Sequence, residues 1–230
     1  MSKIKESAPE PEALGPWLPA VKEAMREAAY KQSKGRRGLS KKRFNYRWEH
    51  VKAVVLQAKR LAKLTGADTD IVIAAAWLHD VRKEKGEAHP EFGARFAEKF
   101  LPRTDFPPEK IAAVAEAIRD HMGLWRDTPL QNLESQVLWD ADKLTKIGVT
   151  GAIHYLGAAL LRGRLQTSSQ IIKDGKARDW QEKTVASMHT EPAKKAAASR
   201  LAAYKALFQE LDLEITGSDL KSKKQAEKAA

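Results

Sequence analysis

The sequence predicts an all-α fold, and three observations carry that expectation. Apolar residues recur at the spacing of one helix face in segment after segment, while strand-type alternation is absent. Helix start and stop signals bracket those segments, among them Asp68 or Asp70, Pro90 and Gly66. One stretch, Ile71–Leu78, is apolar on every side and contains the strong helix formers Ala74–Ala76. A helix without a polar face belongs in the middle of a core. The rest of the chain is therefore expected to wrap around it, as a helical bundle.

Residues 1–16 are rich in Pro and Glu and are expected to be disordered. Pro19 opens a helix running to about Lys31, and Gly35-Arg36-Arg37-Gly38 breaks the pattern into a basic loop. A long helix from about Asn45 to Leu64 follows, with Gly66 as its stop. Its stripe runs through Val54, Ala58 and Leu61, and His50 lies one turn earlier on the same inward face. Beyond the central helix, a polar loop Arg82–Ala88 leads to His89-Pro90, which opens a helix with Phe92, Phe96 and Phe100 as its apolar face. Pro107 and Pro108 precede a helix with Ile111, Val114 and Ile118 inward, and His121 stands at its end. A helix over Leu133–Ile147 places Asp142 one turn after the buried Leu138, with Asp140 the alternative if the register differs. Helices over Ala152–Leu161, Ala177 to about Met188, and Pro192–Leu213 complete the chain. The expected division is an N-terminal segment at 1–44, a helical core at 45–213 and a basic flexible tail at 214–230.

At 230 residues the chain suits one domain with a sizeable core. It contains no Cys, so any metal must be held by His and carboxylates. No apolar run approaches a membrane span, and the first residues lack a signal-peptide core, which makes a soluble cytoplasmic protein the expectation. The net charge of +11 is uneven: eight Lys or Arg and no acid lie between Lys31 and Arg47. Such a balance points to polyanionic partners, either phosphorylated metabolites or nucleic acid.

Only six His occur, and four of them, His50, His79, His89 and His121, lie on inward helix stripes or at helix ends against the core. With Asp80 and Asp142 they make six candidate ligands from five helices. A buried imidazole and carboxylate in succession, as in His79-Asp80, are costly unless a partner such as a divalent cation satisfies them. His154 and His189 read as ordinary helix residues.

The order His50, His79-Asp80, Asp142 is similar to the signature of the HD-domain metal-dependent phosphohydrolase superfamily. Leu78-His79-Asp80-Val81-Arg82-Lys83 resembles the Leu-His-Asp-x-x-Lys of that family. Asp140-Ala141-Asp142-Lys143-Leu144 resembles its last segment, in which the second Asp is the ligand. The resemblance covers about residues 46–150. It implies a helical bundle centred on a metal site, with His50, His79, Asp80 and Asp142 on one ion and Asp80 bridging to a second held by His89 and His121. In the mononuclear alternative, His89 and His121 face the substrate or support the first ligands.

Such a site suits one or two divalent ions, Mn, Fe, Co or Ni, with Mg possible. The implied activity is hydrolysis of a small phosphorylated substrate, a nucleotide above all, by a hydroxide made available at neutral pH. Asp80 and Lys83 are the candidate catalytic residues. Arg47, Lys83 and Lys143 are the candidate phosphate contacts, Lys143 at the rim of the site. Two alternatives are a nucleic-acid-binding protein using Lys31–Arg47, with Phe44 and Tyr46 interleaved, and a dinuclear-iron oxygenase of the same superfamily.

Overall fold

The computed structural model describes residues 16–34, 45–161, 167–177 and 179–220. The disorder expected near the N-terminus, most of the basic loop and the last part of the tail lie outside them. The described residues form helices and short 3₁₀ segments and no strand, as the sequence predicts. In order these are α1 (Trp17–Lys34), α2 (Tyr46–Thr65), α3 (Thr69–Leu78), α4 (His89–Phe100), α5 (Ile111–Asp120), α6 (Leu133–Leu144), α7 (Gly148–Leu161), α8 (Ser168–Lys176), α9 (Trp180–Ala186) and α10 (Glu191–Thr216). No helix among them is long and apolar enough to cross a membrane.

Helix α3 is the centre. Asp68 caps its start by accepting from the amides of Asp70 and Ile71, and every residue from Ile71 to Leu78 is buried. It packs against α1, α2, α4, α5 and α6. Fully burying side chains of this size stabilises by roughly 1.5–3 kcal/mol each. That gain holds the helix where its polar C-terminal end lies deep inside the molecule.

The long helix before it behaves as its sequence dictates. Asn45 caps α2 by accepting from the Trp48 amide, and Gly66 ends it in the left-handed region at φ 78. His50, Val54, Ala58 and Leu61 are all buried.

Helix α4 departs from expectation. Its buried face is His89, Pro90, Gly93, Ala94 and Ala97, while Phe92 is exposed and Phe96 and Phe100 stack on each other at the margin of the core. The reason is closeness of approach. A Cβ on Gly93 would stand 3.2 Å from Ile118 Cγ2 and 3.5 Å from the His79 carbonyl oxygen. Small residues let α4 reach the end of α3, and rings on that face would hold it away.

Other boundaries also differ. Helix α6 ends at Leu144, with Thr145 as its cap, and α7 starts at Gly148, four residues before the expected helix, with φ 73 at that glycine. The helix expected from Ala177 to about Met188 is only Trp180–Ala186, and it is preceded by a further helix, α8, which opens on a capping box formed by Thr167 and Gln170. His189 is in the connection to α10 rather than on a helix.

That connection is anchored by Asp140. Its carboxylate accepts from the amides of His189 (2.9 Å) and Thr190 (2.8 Å), the Thr190 hydroxyl (2.8 Å) and His189 Nδ1 (3.2 Å). Its job is to fix the start of α10. Replacing it by Ala strands buried donors, so Asp140→Ala is expected to lower unfolding free energy by about 2–4 kcal/mol. Chemical denaturation measures this, and a loss under about 0.5 kcal/mol would contradict the anchoring role.

Candidate metal centre

Three of the four inward histidines are oriented by backbone carbonyls three residues earlier. His79 at the C-terminal end of α3 has Nδ1 2.8 Å from Ala76 O. His121, just past α5, has Nδ1 2.5 Å from Ile118 O, and His89, the first residue of α4, has Nδ1 2.6 Å from Gly86 O. A carbonyl only accepts, so each Nδ1 carries the proton and each Nε2 presents a lone pair. His50 on α2 reaches the same tautomer by another route. Its Nδ1 is 3.2 Å from Thr145 Oγ1, which spends its own proton on Asp142 O at 2.7 Å. All four rings thus turn Nε2 inward, the arrangement typical of metal-binding His.

The inward atoms form two groups of three buried residues, His50–His79–Asp142 and Asp80–His89–His121. In the first, His50 Nε2 is 3.2 Å from Asp142 Oδ1. In the second, His89 Nε2 is 3.0 Å from His121 Nε2 and 3.3 Å from Asp80 Oδ1. Donors about 2.1 Å from one octahedral ion stand roughly 3 Å apart, which is the spacing seen. Asp80 lies between the groups. Its Oδ2 is 3.7 and 3.6 Å from Nε2 of His50 and His79, and its Oδ1 faces His89 and His121.

His50 Nε2, His79 Nε2 and Asp142 Oδ1 are buried and have no hydrogen-bond partner, while Asp80 Oδ1 has only the Lys83 ammonium, 3.1 Å away. Each such atom costs roughly 1–3 kcal/mol. Three converging orphans of lone-pair type, beside a carboxylate oxygen that already draws an ammonium group, describe a place made for cations. The facing lone pairs of His89 and His121 give the same reading for the second group. Imidazole and carboxylate without thiolate suit divalent metal.

Electrostatics agrees. Burial pushes the Asp80 carboxyl up, but the positive charge around it, Arg47 included, outweighs it and holds Asp80 well below the carboxylate range. Burial likewise opposes ionisation of Asp142, and Lys143 and Lys146 reverse it. Burial lowers His50, His79 and His121, with the carboxylates only partly offsetting it. The centre therefore presents two carboxylates beside rings that burial keeps toward the neutral form at His50, His79 and His121, ready for cations.

The six expected ligands are brought together, and the expected cations divide. Arg47 donates to Asp80 Oδ2, and Lys83 Nζ is 3.1 Å from Asp80 Oδ1. Lys143 is not at the rim. It is 1% exposed, donating to His121 O at 2.7 Å and to Asp142 Oδ2 at 2.5 Å, and burial lowers its ammonium to about 7 against the pull of Asp142. Helix α6 is buried nearly all round, so its lysine has no route outward. The rim position belongs instead to Lys146, whose Nζ is 2.6 Å from Asp142 Oδ2. Its place four residues after Asp142, on the same helical side, was the signal available in the sequence. Asp140 faces away toward His189 and Thr190, which leaves Asp142 in the cluster. Half-buried His154 packs edge-on against Tyr46 at 5.0 Å, and Tyr46 stacks on His50 at 5.9 Å.

Comparison with known proteins agrees with this geometry. Residues 47–147 match the HD domain family. No curated protein matches the sequence. Among solved structures, the chain is similar to a predicted HD-superfamily hydrolase from an uncultured Thermotogales bacterium, at 25% identity and TM-score 0.61, covering 86% of this chain and 93% of that one. An HD-superfamily hydrolase from Bacillus thuringiensis shares the fold at 18% identity and TM-score 0.63, covering 86% and 98%. YpgQ of Bacillus subtilis, in complex with ADP, shares it at 20% identity and TM-score 0.62, with the same coverage. Residues 47–147 are thereby identified as an HD domain.

Two outcomes are expected. Replacing His79 and Asp80 together by Ala should abolish bound divalent metal while the far-ultraviolet circular dichroism stays helical; stoichiometric metal in that variant would reject the centre. The second concerns pH. Folded-state His50, His79 and His121 are lowered from 6.5, so the unfolded chain binds more protons just below that value. The stability of chelator-stripped protein should be fully present above about pH 6.5 and fall as pH drops below it. Denaturation at pH 7.5 and 5.5 tests the sign, and a flat or rising stability on acidification would count against neutral buried rings.

Proposed function

We propose that this chain is a metal-dependent phosphohydrolase acting on a small phosphorylated substrate, with a nucleotide the favoured class. The observation carrying the reading is a buried His/Asp centre rimmed by three partly exposed cations. Arg47, Lys83 and Lys146 have side-chain exposures of 22%, 34% and 26%, and come from three different elements. Each reaches a carboxylate of the centre, so each can also reach an anion bound above it. Arg47 offers a planar fork matched to phosphoryl oxygens, and the two lysines offer point charges.

The ligand assignment follows the geometry. His50, His79, Asp142 and Asp80 Oδ2 would hold one ion; Asp80 Oδ1, His89 and His121 would hold another. Mn, Fe, Co and Ni suit these donors best, with Mg possible. When bound, such ions supply water acidified to neutral pH and neutralise charge on a phosphoryl group. The chain's own residues do the rest. The carbonyls and Thr145 keep Nε2 lone pairs aimed inward, and Lys143 holds Asp142 so that Oδ1 stays free. Arg47, Lys83 and Lys146 bind and orient the phosphoryl oxygens. Tyr46, 40% exposed beside them, offers an aromatic face at the same rim. The ADP bound by YpgQ supports the nucleotide class.

Most of the Lys31–Arg47 stretch that motivates nucleic-acid binding, residues 35–44, lies outside those described. A phosphate-release screen over nucleotides and phosphoesters with Mn, Co, Ni, Fe and Mg tests the proposal. Arg47→Met should lower kcat/KM on the best substrate by about tenfold or more with helicity unchanged. Absence of phosphate release with every metal, together with oxygen uptake by iron-loaded protein, would reject hydrolysis in favour of an oxygenase.

A further inference from the structure

The two halves of the centre differ in how they are held before metal arrives. In the first, the Nε2 atoms of His50 and His79 and Oδ1 of Asp142 have no hydrogen-bond partner. The cations near it sit on other atoms: Lys143 and Lys146 on Asp142 Oδ2, Arg47 on Asp80 Oδ2. All three donors are open.

The second half contains an occupant. Lys83 Nζ is 2.9 Å from His89 Nε2 and 3.1 Å from Asp80 Oδ1. An ammonium donates and cannot accept, and His89 Nδ1 has already given its proton to Gly86 O, so Nε2 must be the acceptor. An imidazole Nε2 has a single in-plane lone pair. It can accept from Lys83 or bind an ion, not both.

We propose that Lys83 is a resident cation of the Asp80–His89–His121 half-site, so that a second metal enters only by displacing its ammonium group. This rests on the metal-centre reading above. The local chain is built for such an exchange. Lys83 opens a 3₁₀ segment, Lys83–Ala88, that follows α3 after the turn at residues 79–82, and its side chain is one-third exposed. The same segment turns at Gly86, with φ 60, and supplies the carbonyl that orients His89. One short stretch therefore aims the ligand and provides its competitor. Displaced from His89, the ammonium has solvent and the rim as its destinations. There a phosphoryl oxygen can take it up. Anion binding and second-metal binding then favour each other, since each stabilises the displaced position.

The test is titration of chelator-stripped full-length protein with Co(II), read by visible absorption and by bound metal per chain. Wild type should load in two steps, the second at least about tenfold weaker than the first. Lys83→Met should tighten the second step by about tenfold and leave the first unchanged, as expected for removal of one charge-assisted hydrogen bond. His121→Ala should remove the second step in both backgrounds. Inorganic phosphate should tighten the second step in wild type and have less effect in Lys83→Met. Two-step uptake whose second constant is equal or weaker in Lys83→Met overturns the proposal while leaving the metal centre standing. A wild-type chain that takes up no metal overturns both.

Discussion

Two carboxylates are kept ionised in a space from which water is excluded, and the arrangement of the rest of the molecule follows from that. Moving a carboxylate out of water costs several kcal/mol unless charge and hydrogen bonds replace the solvent. Asp80 and Asp142 are 2% and 0% exposed, and each is given cations by the chain itself. Arg47 and Lys83 serve the first, Lys143 and Lys146 the second. What these four leave open is as telling as what they cover. Asp142 shares its charge through Oδ2 and keeps Oδ1 bare toward His50.

The helix ends explain how so many ligands converge without strain. The last carbonyls of a helix have no partner within it. His79 and His121 stand at such ends and donate Nδ1 to those carbonyls, so one bond satisfies a helix terminus and fixes a ring. A histidine in mid-helix lacks this option, and His50 needs Thr145 from another helix. Helix α3 could not end in the core with His79-Asp80 unless its other residues were apolar on all sides. The uninterrupted run Ile71–Leu78 and the metal-ligand pair are one design.

Much of this was legible in the residues. The run Ile71–Leu78 placed α3 in the centre, Asn45 and Gly66 marked ends that the structure keeps, Asp68 proved to be the cap of the two candidates Asp68 and Asp70, and the period through Val54 and Ala58 turned His50 inward. Each is a local property, set within a turn or two of chain. Resemblance to HD-domain sequences joined the six ligands into one expected site before any distance was known.

The misreadings share a cause. Phe92, Phe96 and Phe100 make the more apolar stripe of α4, yet Gly93, Ala94 and Ala97 face the core because α3 and α5 come too close for rings. Lys143, next to an inward Asp, reads as a rim residue, but α6 is enclosed, and Lys146 one turn on reaches the mouth. The pairing of Asp140 with residues 189 and 190, about fifty positions away, has no local signature at all. Composition and period determined which helices form and which residue types could bind a cation. Only the packing of α2, α3, α4, α5 and α6 decided which carboxylate oxygen meets which imidazole and which lysine occupies which half. Those distances depend on how closely helix surfaces approach, and that is set by the volumes of side chains far apart in sequence.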